Sequence, residues 1–288
     1  MSEKKIAKRS VEVLVLSDIH LGTAGCHAKE LLRYLKSIEP QKVVLNGDII
    51  DIWQFKKKYW PKAHMKVIKH LIGWVSKGVE VIYITGNHDE MLRKFEGFQM
   101  GTLSIKNKVI LELDGKKAWF FHGDVFDVTM QHSKWLAKLG AVGYDFLISL
   151  NGTVNSLRNS LGYEKVSFSK KIKNKVKGAV KFINNFEFLV TDLAIDNHYD
   201  YVVCGHIHQP EIKQFTKGTE STLYLNSGDW IENLTSLEYN QKKWTLYQYD
   251  EDLLMRKKEN ELEAEDSIDQ SSKEVFENLL NDFNLLRK

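Results

Sequence analysis

Apolar positions come in short continuous runs separated by amphipathic stretches over the first half of the chain. Val11 to Leu16 is apolar except for Glu12, which predicts a buried strand. Ala28 to Ile38 carries its apolar residues at helical spacing, and Pro40 stops it. Lys42 to Leu45 predicts a second strand, running into Asn46-Gly47-Asp48. A helix is predicted from about Pro61 to Ser76, with Pro61 suited to its first turn, and Gly78 leads to a third strand, Glu80 to Thr85. Val109 to Leu113 and Lys117 to Phe121 flank Asp114-Gly115 and read as a hairpin.

From about Thr129 to Asn197 the pattern is helical, and strand patterning returns at Tyr201 to Cys204, Thr222 to Leu225, Leu234 to Tyr239 and Trp244 to Tyr249. An α/β sandwich interrupted by a helical insertion is the expected architecture. The last segment, Glu251 to Lys288, is charge-dense and ends in an i, i+3, i+4 stripe of Val275, Phe276, Leu279, Leu280, Phe283 and Leu286. This stripe is expected to dock on its own domain; contact with a partner is the alternative.

Charge and cysteine content narrow the function classes. The net charge of the 288 residues is only +3, which gives no bulk argument for nucleic acid. The last segment holds 11 acidic and 6 basic residues, so the remainder carries +8. Cys26 and Cys204 cannot build a disulfide framework, and no CxxC pair suggests structural zinc. The basic start, MSEKKIAKRS, is not followed by the apolar stretch of a signal peptide, and no apolar run is long enough to span a bilayer. A cytoplasmic protein is expected, with membrane-surface contact open.

Five motifs each follow a predicted strand: Asp18-Ile19-His20, Gly47-Asp48-Ile49-Ile50-Asp51, Gly86-Asn87-His88-Asp89, His122-Gly123-Asp124 and Gly205-His206-Ile207-His208. Singly, each has a plain explanation as a turn, a cap or a surface pair. Together they place carboxylate, imidazole and amide oxygen at strand ends, where open α/β sheets gather functional residues. The ligand count suits two metals. Asp18, His20 and His208 could hold one ion and Asn87, His122 and His206 the other, with Asp48 bridging. Two ions about 3.5–4 Å apart clamp a phosphoryl group and activate water for in-line displacement.

The ordered series D-x-H, G-D-x-x-D, G-N-H-D, H-G-D, G-H-x-H resembles the calcineurin-like metallophosphoesterase superfamily over about Val11 to Tyr249. That resemblance implies a four-layer αββα sandwich over 1–250, a helical lid insertion at about 129–197 and a separate tail over 251–288. It also implies two divalent ions (Mn first, with Fe, Zn or Mg as alternatives) and phosphoester or phosphoanhydride hydrolysis. In such enzymes the histidine at His88 assists the leaving group or binds phosphate, and Asp89 is expected to orient it.

Two finer features resemble the UDP-2,3-diacylglucosamine hydrolase branch, which makes UMP and 2,3-diacylglucosamine 1-phosphate in lipid A synthesis. One is the insertion; the other is Asn226-Ser227-Gly228-Asp229-Trp230. From Lys165 to Lys181 there are seven lysines and no acid, interleaved with Val166, Phe168, Ile172, Val176 and Val180. Such a basic amphipathic helix suits an anionic membrane or a lipid near its phosphates, although a solvated helix face is the plainer alternative. Upstream, Trp135, Leu136, Tyr144 and Phe146 could line an acyl pocket. By resemblance Asn87, His88, Ser169, Lys170 and Lys171 are the expected substrate contacts. The chain departs from the branch at His88, where those enzymes carry arginine. A histidine can deliver a proton to a poorer leaving group, which leaves another lipid-linked or sugar-linked phosphoester open. The expected partner is therefore a nucleotide-sugar lipid. A hydrolase of soluble nucleotides, a nuclease and a non-enzymatic scaffold are the alternatives.

Overall fold

The computed structural model describes residues 8–53, 59–127 and 169–249, with the backbone alone for 169–181. The expected tail at 251–288 and the upstream acyl-lining residues Trp135, Leu136, Tyr144 and Phe146 lie outside the described residues. Two sheets form the centre. The first holds β1 (Arg9–Leu16), β2 (Ile38–Asn46), β3 (Glu80–Ile84), β4 (Gln99–Met100), β5 (Leu103–Lys106), β11 (Thr235–Asn240) and β12 (Lys243–Gln248), in the order β12-β11-β1-β2-β3-β5-β4. The second holds β6 (Lys108–Leu113), β7 (Lys116–Phe121), β8 (Tyr201–Cys204), β9 (Glu211–Lys217) and β10 (Glu220–Asn226), in the order β6-β7-β8-β10-β9. Helices α1 (Ala28–Ser37) and α2 (Lys62–Ser76) cover the first sheet, and α3 (Ser169–Asp196) covers the second. This is the expected four-layer αββα sandwich.

Strand periodicity produces the layers. Alternate side chains leave a strand on opposite faces. Val13 and Val15 of β1, Val44 of β2, Ile82 and Ile84 of β3 and Leu237 of β11 face the second sheet, where they pack with Phe120, Val203 and Leu225. Their neighbours Leu14, Leu16, Val43, Leu45, Val81 and Tyr83 face α1 and α2. On the second sheet Val202, Cys204 and Phe121 turn outward against Phe186, Val190 and Ala194 of α3. Burying each of these aliphatic or phenyl side chains contributes about 1.5–3 kcal/mol.

Three departures from expectation have local causes. Pro40 does not stop α1; the helix ends at Ser37, and Pro40 lies inside β2 opposite Val11 of β1. Pairing of β2 with β3 begins only at Lys42, so the missing proline N–H leaves no ladder bond unmade. Pro61 is the residue before α2 and not part of its first turn, with φ −58° and ψ 150°. Strands β4, β5 and β9 were not expected at all. β4 and β5 are two and four residues long, and β9 is an edge strand paired antiparallel with β10, with Lys213 reaching Glu187 and Lys217 reaching Asp192 and Asp196 of α3.

Parallel pairing sets up the functional edge. β1, β2 and β3 run parallel, as do β7, β8 and β10, so their C-terminal ends emerge together. The parallel β7–β8 pair needs a crossover, and α3 supplies it. Phe186 of α3 already reaches the loop after β7, where a Cβ on Gly123 would lie 3.0 Å from its ring. The 17 helical residues before Phe186 therefore run on past this edge by roughly 25 Å.

Gly73 sits inside α2, and a methyl added there meets no atom within 4 Å. Gly73→Ala should raise stability by about 0.5–1 kcal/mol in urea unfolding, through the lower conformational entropy of the unfolded chain. No gain would mean that α2 is not formed as described.

Candidate metal centre

Every ligand expected from sequence lies at one of these strand ends. The turns after β1 and β2 extend the ladder through Asp18 N–H to Gly47 O (3.0 Å) and His20 N–H to Asp48 O (2.9 Å). The second sheet joins them. Gly205 N–H donates to His122 O (2.9 Å), and His206 N–H donates across the sheets to Asp18 Oδ2 (3.0 Å).

The local backbone is strained where the candidate ligands sit. Asp18, His20, Asp48, His206 and His208 all have φ between 50° and 66°. A non-glycine residue held there costs about 1–3 kcal/mol and persists only when its surroundings over-determine it. Close approach explains the neighbouring glycines. A Cβ on Gly47 would lie 2.3 Å from His122 Nδ1, and one on Gly86 would lie 2.2 Å from Asp48 Oδ1.

Three donor groups result, each with its ligand atoms within 4.8 Å of one another: Asp18, His20 and His208; Asp48, His122 and His206; and His20, Asp48 and His88. The first is the set expected for one ion; the second joins His122 and His206, expected for the other, with Asp48, expected to bridge. Asn87 Oδ1 is buried without a hydrogen-bond partner, as are Asp18 Oδ1, His20 Nε2 and His122 Nε2. His122 shows what is missing. Its Nδ1–H donates to Asn46 O (2.9 Å), so the Nε2 lone pair faces Asp48 Oδ2 at 3.2 Å. Two electron-rich atoms so placed need a cation between them. Oxygen and imidazole donors with no thiolate fit two divalent ions of the Mn, Fe, Zn or Mg kind.

Protons hold the charge balance otherwise. Burial pushes the Asp18 carboxyl up, but the facing His208 and His122 imidazoles more than offset it and hold it at about 2. Asp48 is likewise opposed by burial, yet His122, His20 and His88 keep it well below the usual carboxylate range. Burial disfavours the His208 cation, while Asp18, Asp229 and Asp48 raise it to about 9. His122 is lifted well above its ordinary value against burial, chiefly by Asp48.

The profile of the calcineurin-like phosphoesterase family matches residues 11–210. The chain belongs to that family. This calcineurin-like phosphoesterase is thus a metal-dependent phosphoester hydrolase. Its curated relatives include the UDP-2,3-diacylglucosamine hydrolase of Blochmanniella pennsylvanica (strain BPEN), 25% identical over 243 residues, covering 81% of this chain and 93% of that one. The protein of the same name from Aliivibrio fischeri (strain MJ11) is 22% identical over 240 residues, covering 82% and 97%.

The expected role of Asp89 is corrected. Its Oδ1 accepts from Gly86 N–H (2.6 Å), and its Oδ2 from Tyr83 O–H (2.6 Å) and Ile49 N–H (2.9 Å). It anchors the loop after β3 to the loop after β2, while His88 turns to Asp51, with Nδ1 to Oδ2 at 3.0 Å. The same Asp51 oxygen lies 3.4 Å from His20 Nδ1, so one carboxylate aligns two imidazoles of the phosphoesterase. Asp127 does this for His206 (2.9 Å), and Asp229 faces His208 (3.7 Å). Asp51, Asp127 and Asp229 carried no assigned role in the sequence, although Asp51 and Asp229 stood inside quoted motifs. Ser169, Lys170 and Lys171 open α3, and their side chains lie outside the described residues.

Metal must displace the protons on His122 and His208, so apparent affinity should rise with pH from neutral through about 9, where His208 deprotonates. Titration calorimetry at neutral pH in two buffers of different ionisation enthalpy should show about two protons released; none released would contradict the charge balance. Gly86→Ala should drive Asp48 aside and reduce bound metal from two ions to one or fewer, read by elemental analysis, while Gly73→Ala keeps both.

Proposed function

We propose that this phosphoesterase cleaves the pyrophosphate of UDP-2,3-diacylglucosamine, giving UMP and 2,3-diacylglucosamine 1-phosphate for lipid A synthesis. The observation that carries the substrate is relatives of that name aligning over 93% and 97% of their own lengths, on a chain that retains all seven expected ligands. Asp18, His20 and His208 would hold one ion and Asn87, His122 and His206 the other, with Asp48 offered to both. Manganese is the first choice for both. When bound, such a pair neutralises phosphoryl charge and activates water for in-line attack.

The chain's own residues do the rest. A water oxygen joins phosphorus as the bridging P–O bond breaks, and the water's proton leaves to solvent. His88, aligned by Asp51, hydrogen-bonds the phosphoryl or departing oxygen. Its ring stands edge-on to His20 with centroids 4.6 Å apart, so it lies directly beside the first metal set. Asp89 serves by fixing the loop that carries Asn87 and His88.

The lysine-rich start of α3 would contact the substrate, with Ser169, Lys170 and Lys171 as the expected contacts. On this reading the enzyme works at the inner face of the cell membrane, against its lipid substrate. Among the described residues no helix is long and apolar enough to cross a membrane. The 1–250 domain would then act with its insertion as one catalytic unit.

Protein loaded with manganese should release UMP from UDP-2,3-diacylglucosamine, and much less from soluble UDP-sugars. Cleavage of a simple diester with no action on the lipid would keep the metal chemistry and overturn the substrate. Asp51→Asn should lower turnover or metal affinity about 10–100-fold, because His20 and His88 both lose their alignment. An unchanged enzyme would remove Asp51 from the site.

A further inference from the structure

Trp53 is 57% exposed, the one exposed tryptophan among the described residues. It is not a stray surface side chain. Its indole lies against His88 with ring centroids 4.6 Å apart and planes 36° apart, and His88 also meets His20 edge-on. The backbone is pinned as well: Ile52 N–H donates to His88 O at 3.1 Å. The indole is therefore one imidazole away from the donor group of His20, Asp48 and His88, and held in place with the site.

A large aromatic surface left in water is unfavourable unless something covers it, and a flat π-face selects a flat partner. The metals would take the phosphoryl oxygens, so whatever the phosphate carries must lie about one sugar's width from them. We infer that Trp53 is a specificity-determining shelf on which the nucleobase of a bound nucleotide stacks. This rests on the hydrolase reading above and names which part of the substrate the core domain grips. Stacking on a single aromatic residue is sequence-tolerant, so the shelf selects for a base being present more than for which base it is.

The test is binding of UMP and of ribose 5-phosphate to the metal-loaded protein by titration calorimetry. Both probes carry the same phosphate on the same sugar, and only one has a base. UMP should bind about tenfold or more tightly. Trp53→Ala should remove that preference with metal content unchanged, and Trp53→Phe should keep most of it. Equal binding of the two probes by the unaltered protein, or an undiminished preference in Trp53→Ala, overturns the proposal. So does a Trp53→Ala variant that keeps the base preference but loses affinity for base-free 2,3-diacylglucosamine 1-phosphate, because Trp53 would then cover an acyl chain. The two readings fail separately. A base preference without cleavage of the lipid substrate leaves the shelf and removes the hydrolase assignment; cleavage without a base preference does the reverse.

Discussion

A buried carboxylate can stay ionised only if positive charge surrounds it, and most of this molecule is arranged to meet that condition at Asp48. The residue is almost fully buried at the end of β2, with His122 Nε2 at 3.2 Å and His20 Nε2 at 3.9 Å. Its Oδ1 accepts the His88 N–H at 2.8 Å. An isolated charge in that position would be prohibitively costly. Imidazolium protons offset the cost without metal, and divalent ions would offset it with metal, so folding and metal binding act on the same electrostatic deficit. The left-handed backbone at five ligands is tolerable for the same reason: the sheet ladders fix the turns from both sides.

Glycine at 47 and 86 follows from this crowding and not from loop flexibility. Ligands from both sheets must meet across a gap that leaves no room for a methyl beside His122 or beside Asp48. The outer parts of the fold keep the two sheets in that relation. Buried Phe120, Val203 and Leu237 set the distance between them, and Asn226 Nδ2 holds Gly205 O (2.9 Å) at the turn before His206. A shift of one sheet along the other would separate Asp18 from His206 and His122 from Asp48 together. The site is rigid because its ligands are also the cross-links between sheets.

Much of this was legible in the chain, for a physical reason. Strands buried on both faces, such as Val11 to Leu16 and Tyr201 to Cys204, must be apolar, and ligands must be polar residues immediately beyond them, so both the fold and the seven ligands leave a local trace. β9 left none. Its residues EIKQFTK are mostly exposed, and its position is set by antiparallel pairing with β10, which appears only in three dimensions. The orienting carboxylates were hidden similarly. Asp89 is next to His88 in sequence, but successive residues of a tight turn point apart, and its two oxygens are occupied by Tyr83, Ile49 and Gly86. Asp51 reaches His88 from another strand end, which no linear spacing announces.

The position of the insertion follows from the same topology. β7 and β8 are neighbouring parallel strands, and joining them requires the chain to leave at the metal edge and re-enter at the opposite edge. α3 makes the return, anchored on the second sheet from Phe186 to Ile195. The chain leaves the metal edge after Asp127, the carboxylate that aligns His206. Between β2 and β3 the ligands are equally close, but α1 and α2 already pack that face of the first sheet, with Leu31, Leu35, Val67 and Trp74 buried against it. The β7–β8 crossover thus departs beside His122 and Asp127, while Asp48 is set by the parallel strands of the first sheet.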